Sequence, residues 1–152
     1  MTSPNGSTPY PCLRPLAKLV GTWKLEHRDL ATNEEWGGKD VFEWLPGGFF
    51  MAFHHEEEKG VKGVMILGFE KGWEETEPGK ELVGHWFESS SGSHYRYVWE
   101  VDDRAVRFWL NDKQSNMAFD GAFSDDGKTI TGTWKWPGGG YHLVMRRAAQ
   151  ER

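Results

Sequence analysis

The chain of 152 residues contains a single cysteine, Cys12, so no disulfide can form within it and no cysteine cage for zinc or iron–sulfur can be built. No apolar run approaches the roughly 20 residues that a membrane-spanning helix needs. Residues 2–11 are polar and proline-rich, without the basic start and apolar core of an export signal. These absences together predict a cytoplasmic protein.

Clustered positive charge is also lacking. The sequence has 18 Lys and Arg against 23 Asp and Glu, for a net charge of −5, which argues against nucleic acid and anionic membranes as partners. The segment Gly127-Lys128-Thr129 lacks the preceding glycine of a phosphate loop and is interpreted as a hairpin turn. The expected partner is a small apolar or aromatic molecule, and the chain is expected to be a monomer or a homodimer.

Aliphatic residues are few, and aromatic rings take their place. Hydrophobic residues make up only 38% of the chain, yet it has 9 Trp and 9 Phe, so a small number of large rings must fill the core. The length suits one domain. We predict a flexible tail over 1–14, a barrel domain over 15–148 with a helical turn at 15–20 plugging one end, and a short tail over 149–152.

No segment of ten or more residues has a convincing helical period. Short strand-like runs are instead separated by Gly, Pro, Asn and Asp at hairpin spacing, a pattern typical of an antiparallel meander. A sheet of about ten strands without helical cover buries itself best by closing, so the predicted fold is an all-β, up-and-down antiparallel barrel. The expected strands are 21–30, 39–45, 49–57, 62–70, 81–88, 93–101, 105–110, 116–123, 129–135 and 141–146.

The start of the first strand carries a family resemblance. Gly21-Thr22-Trp23 after a short turn, followed by a meander, resembles the opening of the calycin superfamily, which includes lipocalins and fatty-acid-binding proteins. In those barrels the first-strand tryptophan packs against a basic residue of the last strand. The resemblance therefore implies structural roles for Gly21 and Trp23 and a clasp by Arg146 or Arg147, with Arg146 the expected one.

A more specific similarity covers residues 16–147. The motif His85-Trp86-Phe87 and the segment 119–134, which contains Asp125-Asp126-Gly127 and ends in Trp134, are similar to an uncharacterised bacterial calycin-like family. These are turn and strand motifs, so they imply a fold and do not indicate a particular reaction or ligand.

Alternation along the predicted strands selects the residues that face inward. Large rings lie among them, together with two histidines, as a pocket for a small molecule requires. The predicted ligand-binding residues are His27, Met51, Phe53, His55, Trp86, Tyr97, Phe108, Phe119, Trp134 and Tyr141.

The histidines suggest an alternative in another class. His27 and His55 inside a barrel could serve as acid–base groups of a cyclase, isomerase or hydrolase, and with Glu57 they would resemble a two-His, one-carboxylate site. His54 and His55 are adjacent on a strand, so at most one of them faces inward. We favour a hydrogen-bonded polar pair without catalysis, and we assign no metal site.

A second resemblance concerns the C-terminus. His142-Leu143 is similar in position to the proximal histidine of haem-binding barrels of the nitrobindin type, which implies haem with His142 or another histidine as axial ligand. The Gly-rich repeat that follows the opening tryptophan in those proteins is absent here, where Lys24 follows Trp23. No cofactor is therefore predicted, and haem stays an alternative.

Overall fold

The computed structural model describes residues 9–149, which form one closed barrel of ten antiparallel strands behind a short 3₁₀ helix. Each strand pairs with its neighbours in sequence, and the first strand also pairs with the last. The all-β barrel predicted from the sequence is confirmed. The bounds are the 3₁₀ helix Pro11–Leu19, β1 Gly21–Asp29, β2 Glu35–Trp44, β3 Met51–Glu57, β4 Lys62–Phe69, β5 Leu82–Glu88, β6 His94–Val101, β7 Ala105–Leu110, β8 Ala118–Phe123, β9 Thr129–Trp136 and β10 Gly139–Arg147.

The inward faces follow the alternation of the sequence. In β1, Trp23, Leu25 and His27 are at most 2% exposed, and the residues between them face solvent. In β3 the inward face contains Phe53 and His55, whereas His54 is exposed. The adjacent histidines thus lie on opposite sides of the sheet, and only His55 enters the barrel.

The second strand starts four residues earlier than predicted, at Glu35 in place of residue 39. Gly37 and Gly38 disfavour a strand by propensity, but they pair with Glu26 and Leu25 of β1. A Cβ at Gly38 would lie 2.5 Å from a backbone oxygen of β3, so close approach of the two strands accounts for the glycine.

The 3₁₀ helix covers one end of the barrel, which we call the closed end. It begins at Pro11, within the stretch 1–14 predicted to be a tail, and Leu13, Leu16 and Leu19 are buried on the side facing the barrel. Burial of Leu13 explains the earlier start. Residues 1–8 of the predicted tail and residues 150–152 lie outside the described range.

Arg147, and not the expected Arg146, clasps Trp23. Trp23 is directly opposite Arg147 in the register of β1 and β10, so their side chains share one face. The Arg147 guanidinium lies 4.2 Å from the centre of the Trp23 ring and donates hydrogen bonds to the carbonyls of Lys18 and Val20 at 2.5 and 2.6 Å. Arg146 is on the outer face and pairs with Glu26 at 3.6 Å.

Within residues 9–149, no helix is long and apolar enough to cross a membrane. The described part of the chain consists of one short helix and ten strands, and its hydrophobic core lies inside the barrel.

Replacing Arg147 by alanine should lower the free energy of unfolding by about 2 kcal/mol, because the cation–π contact and the two charge-assisted hydrogen bonds to Lys18 and Val20 are lost together. The matched control Arg146→Ala removes an exposed ion pair and should cost less than about 0.5 kcal/mol. Urea unfolding followed by tryptophan fluorescence measures both, and equal losses in the two variants would show that the clasp is not specific to Arg147.

Candidate functional site

A cavity of about 390 Å³ occupies the interior of the barrel and is lined by side chains from all ten strands. Nine of the ten residues selected from the sequence line this cavity. The exception is Met51, which is fully buried in the core but begins β3 at the closed end, below the cavity. The cavity reaches the open end, opposite the 3₁₀ helix, where Trp36, Val61 and Trp136 belong to its wall.

Aromatic rings form one side of the cavity. Phe108 stacks on Trp99 at 4.3 Å between ring centres, on Phe119 at 5.0 Å and on Trp134 at 5.5 Å. Tyr97 meets Phe108 edge to face at 5.7 Å. Contacts of this kind hold large rings in fixed orientations, so this wall offers a rigid apolar surface to a molecule inside the barrel.

The other side of the cavity carries a cluster of charges that we call the acidic cluster, made of Asp40, His55 and Glu57. His55 Nδ1 lies 2.6 Å from Asp40 Oδ1, and His55 Nε2 lies 2.8 Å from Glu57 Oε2. The second oxygen of Glu57 accepts a hydrogen bond from Trp36 Nε1 at 2.7 Å. Because carboxylates accept and do not donate, both ring nitrogens of His55 carry protons.

The pKa values of the cluster agree with its geometry. Burial is the largest single influence on the pKa of His55 and lowers it. The attraction and hydrogen bonds of Asp40 and Glu57 together outweigh burial and raise the pKa to about 10. Burial raises the pKa of Glu57, yet hydrogen bonds and attraction from His55 bring it below its ordinary value. With both nitrogens of His55 protonated between two carboxylate partners, the cluster has a net charge of about −1.

His27 lies beside the acidic cluster and differs from His55 in its protonation. Its ring is stacked on Trp36 at 4.9 Å and faces Tyr141 edge-on at 5.1 Å. Burial is the main influence on its pKa and lowers it, against the opposing effect of Glu57. The imidazole is consequently neutral at pH 7.

The hydrogen bonding of His27 leaves one ring nitrogen open. Nδ1 lies 3.2 Å from the carbonyl oxygen of Trp36, and since a carbonyl only accepts, Nδ1 carries the proton. Nε2 is therefore a hydrogen-bond acceptor, and it is buried without a partner among the described residues. The His27 side chain lines the cavity, so a molecule bound there could donate a hydrogen bond to Nε2.

This geometry restricts the predicted acid–base pair. Both nitrogens of His55 are held by carboxylates and protonated, so His55 cannot accept a further proton. His27 alone retains a free lone pair. Across residues 9–149, no group of three or more His, Cys, Asp and Glu side chains is arranged to hold a metal ion.

His142, the histidine singled out as a haem ligand, does not line the cavity. It lies between Tyr141 and Leu143, which do line it, so alternation directs the His142 side chain to the outer face. There its Nδ1 lies 3.4 Å from Thr133 Oγ1. Of the two histidines that line the cavity, only His27 has a free nitrogen for a haem iron, since the nitrogens of His55 are occupied by carboxylates.

Sequence reasoning missed several lining residues. Trp36 and Trp136 lie just outside the predicted strand limits. Asp40 has the same alternation phase as Phe42 and was overlooked because an aspartate rarely faces a core. Its position opposite His55 in the register of β2 and β3 explains its burial, and that pairing cannot be obtained from one strand alone.

A larger depression of about 600 Å³ lies outside the barrel, on β1, β2 and β10. Its lining includes Lys24, Glu26, Arg28 and Glu35, which belong to the exposed faces of their strands. Such a surface lacks the convergent apolar lining of a small-molecule site, so the interior cavity is the candidate site.

Comparison with protein-family models finds no match, and comparison with the curated proteins finds none either. Among solved structures, the chain is similar to one described as the crystal structure of Rv2717c from M. tuberculosis, with a TM-score of 0.53 and 15% identity over 93% of this chain and 99% of that chain. At this identity the likeness concerns the fold alone.

The acidic cluster predicts a specific dependence of stability on pH. The pKa of His55 is raised on folding, so its contribution is fully present below about 6.5, the unfolded value, and is lost as pH rises through the folded value. Asp40→Asn should lower the free energy of unfolding by about 3 kcal/mol at pH 6.5. The difference from wild type should shrink towards pH 9.5.

Urea unfolding at pH 6.5, 8 and 9.5 measures this difference. The matched control is Glu43→Gln on the outer face, where Glu43 is bonded to the exposed His54 at 3.1 Å. Because that pair is exposed, the control should cost less than about 0.5 kcal/mol at each pH. A constant penalty for Asp40→Asn across the pH range would contradict the charge assignment.

Proposed function

We propose that the protein is a calycin-like barrel, related to the uncharacterised bacterial family that its motifs resemble, and that it binds a small apolar or aromatic molecule in its interior. The observation that carries this proposal is the pairing of an aromatic-lined interior cavity with one unsatisfied acceptor, His27 Nε2. Buried polar atoms without partners are rare in folded proteins, and a ligand donor is a direct way to satisfy this one.

The size and chemistry of the cavity support the proposal. Its volume of about 390 Å³ lies within the range of about 300 to 1,000 Å³ typical of small-molecule sites. Apolar rings dominate the lining, and its charged groups are few: Asp40, His55, Glu57 and Glu88. A ligand with an apolar body and one hydrogen-bond donor would therefore fit the cavity.

A proton-accepting role for His27 is the second candidate, since its lowered pKa and free Nε2 suit a general base. It requires the same bound molecule, so binding is the property to test first. The haem alternative requires ligation by His27, and an absorption spectrum of the purified protein tests it. A Soret band that is lost in His27→Phe would show that the bound molecule is haem.

The test uses 2-naphthol and naphthalene, which differ by one hydroxyl donor. Isothermal titration should show 2-naphthol binding about fivefold more tightly than naphthalene, because its hydroxyl donates to His27 Nε2. In His27→Phe, which removes the acceptor and keeps a ring of similar size, the two probes should bind about equally. The matched control His142→Phe changes a histidine outside the cavity and should preserve the wild-type preference.

Two outcomes would contradict the proposal in different ways. If neither probe binds up to its solubility limit, and mass spectrometry of an organic extract finds no copurifying molecule, the barrel does not serve as a binding site. If both probes bind but His27→Phe leaves their ratio unchanged, binding stands and Nε2 is not the acceptor.

A further inference from the structure

The charged groups around the cavity are strongly unequal in sign. Three carboxylates line it, those of Asp40, Glu57 and Glu88, and the lining contains no lysine or arginine. The positive charge at the wall belongs to His55, which is already shared between Asp40 and Glu57. An incoming molecule therefore meets a surplus of negative charge in a region sheltered from water, where electrostatic interactions are stronger than in solution.

We propose that the molecule bound in the barrel is an organic cation, an amine carried on an aromatic or apolar body, and that the site rejects carboxylate ligands. This inference rests on the proposed function and names the chemical class of its ligand. The acidic cluster supplies the charge, and the aromatic wall supplies the surface for the body of the ligand.

Beside the acidic cluster, hydrogen bonding selects the same class, while on the aromatic wall Trp99 Nε1, unpaired within the described residues, offers a donor to an acceptor on the body of the ligand. His27 Nε2 accepts and has no partner among residues 9–149, and an ammonium group offers N–H donors. A carboxylate offers no proton and would place its lone pairs against that of Nε2 while approaching the negative charge of Glu57, which also lines the cavity. The site is thus complementary to an amine and repels an acid.

Ring faces near His27 add a further attraction for a cation. Trp36 and Tyr141 lie 5.7 Å apart between ring centres and both border His27. Trp136 lies 6.1 Å from Tyr141 on the side of the open end. Trp36 is already stacked on His27 and lies under Lys59 Nζ, so Tyr141 and Trp136 are the rings that remain to attract an ammonium beside His27.

Lys59 approaches this region from outside, and it does not neutralise the cavity. Its Nζ lies 4.0 Å from the centre of the Trp36 ring and 3.1 Å from Glu34 Oε1 at the rim. Lys59 is not a lining residue, and Glu34 already balances its charge. The interior surplus of negative charge is therefore left for a ligand.

The experiment compares three probes that share an indole ring and a two-carbon chain but differ in charge: tryptamine, 3-ethylindole and indole-3-propionate. Isothermal titration at pH 7 and low salt should show tryptamine binding at least tenfold more tightly than 3-ethylindole. Indole-3-propionate should bind at least tenfold more weakly than 3-ethylindole. Raising the salt should reduce the preference for tryptamine only modestly, since the charges are sheltered from solvent.

A pair of variants on one strand tests the source of the preference. Glu57→Gln removes one carboxylate from the cavity and should reduce the advantage of tryptamine over 3-ethylindole at least fivefold. Glu56→Gln removes the adjacent carboxylate on the outer face, where Glu56 is half exposed and near Lys39, and should leave the advantage unchanged. Far-ultraviolet circular dichroism shows whether each variant is folded, and the ratio of the two affinities is compared within each variant.

The outcomes separate the inference from the proposed function. If 3-ethylindole binds but tryptamine binds no more tightly, or if indole-3-propionate binds best, the cationic class is wrong and the binding function stands. A preference that survives Glu57→Gln would overturn the role of the acidic cluster. If none of the three probes binds while 2-naphthol does, the inference fails and the binding function stands; if 2-naphthol and naphthalene also fail to bind and no molecule copurifies, both fail.

Discussion

The pairing of β1 with β10 is the contact that makes this sheet a barrel, and the interior depends on it. It sets Trp23 opposite Arg147 at the closed end and His27 opposite Leu143 towards the open end. Trp23 then donates to the Leu19 carbonyl at 2.8 Å, which attaches the helix to the barrel. One strand thereby joins the closed end to the histidine that borders the candidate site.

The interior is divided between two kinds of surface with different physical roles. The stacked rings around Phe108 provide volume and rigidity that a chain poor in aliphatic residues cannot obtain otherwise. The acidic cluster provides charge, which burial makes costly unless hydrogen bonds satisfy it. His55 is hydrogen-bonded at both ring nitrogens, whereas His27 is hydrogen-bonded at one. The free hydrogen-bond acceptor of the two histidines is therefore His27 Nε2.

Much of the fold was predictable because alternation and turn residues are local signals. The phase of Trp23, Leu25 and His27 follows from β1 alone. The identity of the clasp did not, because choosing between Arg146 and Arg147 requires the register of two strands far apart in sequence. The acidic cluster escaped prediction for the same reason: Asp40 is buried through a partner on another strand, His55.

Asp40 lies directly opposite His55, and this contact helps to fix the register of β2 and β3. A slip of β3 by one residue would turn His54 and Glu56 inward and His55 outward, leaving Asp40 buried beside a different set of groups. The slip that brings Glu56 opposite Asp40 is therefore penalised by two buried like charges, in addition to misplaced apolar rings. The same groups that shape the ligand site widen the energy gap between the native barrel and its nearest misfolded alternatives.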